Sequence, residues 1–209
     1  MSLVRTRVKM CGMTRIEDIE YAAHLGVDAL GFIFYQKSSR CISIDQARSL
    51  LESLPPFIDS VAVLVNPEVE FVTRLINELP IHCLQFHGDE SPDFCQQFSK
   101  PFIKAIHPHS PEHIGSCMND FKGAQALLLD TPSASVRGGS GLSFDWQIIP
   151  KNLPKPYILA GGLNEFNVKE AIKSVHPYAV DVCSGIEVAP GIKDPLKMKR
   201  FIKRLWDRE

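Results

Sequence analysis

Along the chain, short and nearly unbroken apolar runs alternate with longer stretches in which apolar residues return every three or four positions. The short runs read as strands buried on both faces, and the longer stretches read as amphipathic helices. Strands are expected at 7–11, 28–34, 61–65, 81–87, 102–106, 124–130, 157–160 and 179–183. Between them lie the helical stripes, such as Ile16, Ile19, Ala22 and Ala23, or Val168, Ala171, Ile172 and Val175. Start signals precede several helices: capping-box spacings at Thr14-x-x-Glu17 and Ser43-x-x-Gln46, and a capping residue followed by proline at Asn66-Pro67, Ser91-Pro92, Ser110-Pro111 and Asp194-Pro195. Gly26 suits a helix C-terminal cap. After the sixth strand comes a long Gly/Ser-rich loop, then a short helical piece near Trp146.

This makes eight strand-then-helix units, one every twenty to thirty residues or so, which calls for a parallel sheet covered by helices. The expected fold is α/β: a single-domain (β/α)8 TIM barrel with parallel strands over residues 1–209. An open doubly wound sheet is the rival, but no G-x-G-x-x-G follows an early strand. The 209 residues are 44% hydrophobic and 22% charged, which suits one compact unit. A formal net charge of -1 argues against a nucleic-acid partner. No apolar run reaches the roughly 18 residues of a membrane span, and no signal-peptide core opens the chain. The six cysteines include no C-x-x-C pair, so reduced thiols and a cytoplasmic location are expected. The pattern fits a monomer or a homodimer alike.

In such barrels the chemistry gathers at the C-terminal ends of the strands. Cys11 ends the first strand, beside Gly12 and just before a helix. It is either a buried structural thiol or a thiolate favoured by helix amides. Lys9 shares its facing direction, and Asp181 on the neighbouring eighth strand is its expected partner in the interior, keeping positive charge below Cys11. Asp130 follows Leu127-Leu128-Leu129 and is either a loop cap or a carboxyl held at an apolar wall; the second is favoured because the next helix lies well beyond the glycine loop. Arg40 is either a solvated loop residue or a fork for a carboxylate or phosphate. His87 ends the fourth strand with its role open. Gly161 and Gly162 end the seventh strand, and Ser184 and Gly185 the eighth, matching the bare backbone that this fold's recurrent phosphate site requires. Cys183 reads as a packing residue. His107-Pro108-His109 lacks the carboxylate company of a metal site, so no metal is expected.

Taken in order, Val8-Lys-Met-Cys-Gly-Met-Thr14, Gly31-Phe-Ile-Phe-Tyr35 with Ser38-Ser-Arg40, Leu84-Gln-Phe-His-Gly88, Leu128-Leu-Asp-Thr131, Gly138-Gly-Ser-Gly141, Gly161-Gly-Leu-Asn164 and Val180-Asp-Val-Cys-Ser-Gly-Ile-Glu187 resemble the phosphoribosylanthranilate isomerase family of tryptophan biosynthesis. The resemblance runs to Lys193-Asp194. It implies an aldose–ketose isomerase, an intramolecular oxidoreductase that converts N-(5-phosphoribosyl)anthranilate by an Amadori rearrangement into 1-(2-carboxyphenylamino)-1-deoxyribulose 5-phosphate. By the same resemblance Asp130 is the general acid, Cys11 the general base and Arg40 the partner of the anthranilate carboxylate. Gly161, Gly162, Ser184 and Gly185 form the phosphate cradle, and His87 lines the site. The implied partner is a small phosphorylated substrate, and no cofactor is implied. The chain departs from the family pattern at Gln36, where proline is common, at Cys41, where an aromatic is usual, and at Cys183, where serine is common. A sugar-phosphate epimerase would want metal-ligating histidines and acids at several strand ends, and a related synthase a lysine–glutamate set; neither is evident.

Overall fold

The computed structural model describes residues 5–130 and 145–206. Eight parallel strands close into a barrel in sequential order. They are β1 (Arg7–Cys11), β2 (Ala29–Ile33), β3 (Asp59–Leu64), β4 (Cys83–Phe86), β5 (Phe102–Ile106), β6 (Ala126–Leu129), β7 (Tyr157–Leu159) and β8 (Ala179–Val182). The helices follow the strands as α1 (Ile16–His24), α2 (Ile44–Glu52), α3 (Val69–Glu78), α4 (Pro92–Gln96) and α5 (Pro111–Asp120), then α6 (Val168–Val175) after β7 and α7 (Pro195–Trp206) last. Between β6 and β7 a three-residue 3-10 turn, Trp146–Ile148, is the helical piece expected near Trp146. Gly138 to Gly141, read from the sequence as loop hinges, lie outside the described residues.

The start signals fare unevenly. Ser43 and Gln46 make the full capping box, and Ser91 and Ser110 each accept from the backbone amide three residues on. Thr14 does not cap α1: its hydroxyl donates to the carbonyl of Gly191, 177 residues away, and Arg15 holds the N-cap position without a side-chain bond. Asn66 is also drawn elsewhere. Its side-chain oxygen accepts from Asp89 N–H and its own N–H donates to Glu90, so Glu68 occupies the N-cap of α3. In both cases a tertiary partner outbids the local bond, because these loops lie together at one end of the barrel.

The apolar residues form two layers. The larger lies between strands and helices. There Phe86 is fully buried, edge-on to Phe94 and Phe102 with ring centroids 5.9 Å apart, and stacked on Phe98 at 6.0 Å. Burying such a ring is worth roughly 2–3 kcal/mol, and it fixes the end of β4 from which His87 projects. The smaller layer fills the barrel interior with Val61, Cys83, Ile103, Ala126, Leu128 and Ile158 among others. Lys9 and Asp181 share this interior. They are register partners on β1 and β8, joined by a salt bridge of 2.9 Å with both side chains buried. The pair stands between two cavities. Lys9 lines one of about 650 Å³ at the N-terminal ends of the strands, and Asp181 lines one of about 440 Å³ at the C-terminal ends.

Past β8 the chain makes a feature that the alternation does not foretell. A 3-10 turn, Ser184–Ile186, leads into an antiparallel pair, β9 (Glu187–Ala189) and β10 (Ile192–Lys193), before α7 begins at Pro195. Asp194 then caps α7 by accepting from the amides of Leu196 and Lys197.

Candidate active site

The 440 Å³ cavity is where the strand ends converge. Cys11, Arg40, His87, Asp130, Gly161, Gly162 and Ser184 all line it, and Gly185 adjoins Ser184 in the turn.

Cys11 is buried at the end of β1, and its surroundings are electrostatically unusual. A hydrogen bond from the thiol of Cys183 holds Cys11 well below the ordinary thiol range, with Lys9 and Lys193 acting the same way against the opposing effect of burial. The same bond, reinforced by burial, pushes Cys183 up. Cys183 lines the cavity beside Cys11, which goes beyond its reading as packing alone. Room for this cluster comes from β2. A Cβ on Gly31 would stand 2.7 Å from Cys11 Sγ and 3.0 Å from Lys9 Nζ. Gly12, at φ +75°, likewise lets Arg40 lie across the end of β1, since a Cβ there would meet Arg40 Cδ at 2.8 Å.

Arg40 is not a loosely solvated side chain. Its Nε donates to Glu187 Oε1 at 2.9 Å and its Nη2 to Oε2 at 2.6 Å. Glu187 also accepts from Lys193 Nζ at 2.9 Å, and that ammonium donates further to the carbonyls of Cys11 and Cys183. Burial raises the Glu187 carboxyl, but Arg40 and Lys193 outweigh it and hold the group below its usual range. The β9–β10 pair thus carries a fully buried lysine and a buried glutamate under the end of β1. Neither was singled out for a role from the sequence. Glu187 closes one quoted motif and Lys193 ends the resemblance, so order in the motif was the available signal.

Asp130 meets a histidine in addition to the leucine wall expected for it. His87 Nε2 stands 3.0 Å from Asp130 Oδ2, and His87 Nδ1 stands 3.0 Å from Gln85 Nε2. The loop that carries His87 is fixed from below. Lys104 reaches up from β5 to Glu90 at 2.8 Å, both side chains buried, and Glu90 accepts from the amides of Asn66 and Gly88. On the far side, Gly161 and Gly162 adopt φ of +83° and +65°, open to glycine at little cost. The Gly162 carbonyl is held by the side-chain amides of Asn164 and Asn167. A side chain at Gly185 would run into the carbonyl of Leu163, so the two glycine turns pack backbone to backbone.

Among the described residues no group of three or more His, Cys, Asp or Glu side chains is placed to hold a metal ion. His107 and His109 have different neighbours: His107 Nδ1 lies 3.3 Å from the Asp130 carbonyl, while His109 stacks on His113 at 3.9 Å. Among the described residues no helix is long and apolar enough to cross a membrane.

A family model for N-(5'-phosphoribosyl)anthranilate isomerase matches residues 8–204. The chain belongs to this family. A relative from Legionella pneumophila (strain Lens), named N-(5'-phosphoribosyl)anthranilate isomerase, is 64% identical over 206 residues, covering 99% of this chain and 100% of the relative. One of the same name from Nitrosospira multiformis is 49% identical, over 94% of this chain and 95% of its own length. Among solved structures, phosphoribosyl anthranilate isomerase from Thermotoga maritima superposes with a TM-score of 0.86 at 38% identity, covering 96% of this chain and 98% of that one. A phosphoribosyl anthranilate isomerase in complex with reduced 1-(o-carboxyphenylamino)-1-deoxyribulose 5-phosphate superposes with a TM-score of 0.80 at 36% identity, with the same coverage of both chains.

Proposed function

We propose that the chain carries out the Amadori rearrangement of N-(5-phosphoribosyl)anthranilate to 1-(2-carboxyphenylamino)-1-deoxyribulose 5-phosphate with Asp130 as general acid and Cys11 as general base. The observation that carries this reading is the meeting of a cation-flanked thiol and a carboxyl at the ends of β1 and β6, on one cavity with a glycine-rich rim. Asp130 gives its proton to the furanose oxygen, the C1–O bond breaks, and the amine nitrogen forms the Schiff base. Cys11 then takes the proton from C2, and the electron pair forms the enolamine that becomes the ketone. A thiol held below its ordinary range is a competent base near neutral pH, because the thiolate is the form that accepts the proton.

Gly161, Gly162, Ser184 and Gly185 supply the backbone for the substrate phosphate, and His87 lines the reacting end. Arg40 keeps its Nη1 edge without a hydrogen bond among the described residues, which suits it to a carboxylate approaching beside Glu187. Anchoring the substrate at its two anionic ends holds C1 and C2 between acid and base. The partner is a small phosphorylated molecule. The test follows loss of the substrate's fluorescence in wild type, Cys11→Ser and Asp130→Asn. Each variant is expected to lose about 10²–10⁴-fold in kcat with a folded barrel, and near-normal turnover in either would remove that residue from its role.

A further inference from the structure

Gln85 lies on β4 at 1% exposure and faces the same way as His87 two positions on. Its amide nitrogen can only donate, so the His87 Nδ1 that it faces at 3.0 Å is a bare acceptor. A neutral imidazole with a bare Nδ1 carries its hydrogen on Nε2, and that hydrogen is directed at Asp130 Oδ2, 3.0 Å away.

We propose that Gln85 is a positioning residue for the acid: by holding His87 as the Nε2–H tautomer it commits Asp130 Oδ2 to accepting, and confines the transferable proton to Oδ1. The inference rests on the reading of Asp130 as general acid. In ring opening the proton passes from Oδ1 to the ring oxygen, which also receives the electron pair of the breaking C1–O bond, while the nitrogen lone pair forms C=N. The carboxylate left behind keeps its hydrogen bond from His87, and that bond is now charge-assisted, roughly twice as strong as a neutral one. No proton travels through His87 or Gln85. The other end of the amide supplies a second observation. Gln85 Oε1 is buried without a hydrogen-bond partner among the described residues, and Gln85 lines the cavity. A hydroxyl of the substrate's ribose is the donor it lacks, and one bound there would hold the amide in this orientation.

Nitrogen-15 NMR of the full chain, labelled at histidine and assigned by loss of a signal in His87→Gln, reads the tautomer without altering Gln85. The expected spectrum of the neutral ring has His87 protonated at Nε2 and bare at Nδ1; a neutral ring protonated at Nδ1 overturns the proposal. Gln85→Glu presents only oxygens to Nδ1. It should switch the His87 signal to the other tautomer and lower kcat about 10²-fold while KM changes less than about threefold. An unmoved signal or an unmoved kcat overturns the proposal as well. Asp130→Asn separates the two levels. If that variant turns over normally the acid assignment itself fails, whereas an inactive Asp130→Asn with the wrong His87 tautomer removes Gln85 alone.

Discussion

Cys11 gains its character from neighbours that lie far from it in sequence. Cys183, Lys9 and Lys193 act on it from just past β8, from two residues back, and from β10. Cys83 and Cys95 show the opposite case: burial pushes each thiol up to about 12, outweighing Lys9 for the first and Lys104 for the second. Alkylation with iodoacetamide, mapped by peptide mass spectrometry, should therefore label Cys11 at pH values where Cys83 and Cys95 stay unmodified. Because the thiolate is the reacting form, a lowered Cys11 gives labelling that persists below the ordinary thiol midpoint of about 8.5 and fails as pH falls through its own. Lys9→Met removes one of the cations, so the labelling midpoint and the low-pH limb of kcat/KM should both move to higher pH. An unmoved midpoint in a folded variant would make Lys9 structural only.

The elements do their work by what they omit as much as by what they present. Gly31 contributes no atom to the cavity wall, yet its bare Cα is the space in which the Cys11 thiol and the Lys9 ammonium meet. Gly31→Ala should force one of them aside. We expect a stability loss of about 1–3 kcal/mol, as for other overpacked sites, and a disproportionate fall in kcat of more than about tenfold. Thermal unfolding and steady-state kinetics on the same sample check both; a fall in stability alone would mean that the thiol relaxes without losing its setting. Such a role is invisible in the hydrophobic pattern, where Gly31 reads as a weak point in an apolar run. The alternation did reveal all eight strands, because buried parallel strands must be apolar on both faces. It missed β9 and β10, which are too short to show a period and leave their apolar residues exposed, and whose purpose is to deliver Glu187 and Lys193.

For the whole molecule, the expected barrel closes with Lys9 opposite Asp181, since parity and the neighbourhood of first and last strands require it. All the residues expected at the site reach one end for the same reason: strand ends in a parallel barrel share a face. What order along the chain could not convey is the set of partners each meets there. Arg40 is already forked onto Glu187, and Asp130 has His87 beside its leucines. Burial raises Asp181 to about 6, so its charge is sustained at neutral pH by Lys9. Lys9→Met alone, by leaving that carboxyl buried without its partner, should cost about 3–5 kcal/mol. Lys9→Met with Asp181→Leu should recover most of it, measured by urea unfolding. A double variant as unstable as the single one would mean that the pair holds more than its own charges.

The closure of β1 onto β8 also orders events in time. The first strand to leave the ribosome must wait for the last before the ring exists, and Lys193 follows later still. Until β8 docks, Cys11 lacks the Cys183 thiol beside it, and until Lys193 arrives it lacks its second cation. The nascent chain thus carries the thiol without this setting until the barrel closes. Its chemistry is switched on by completion of the fold.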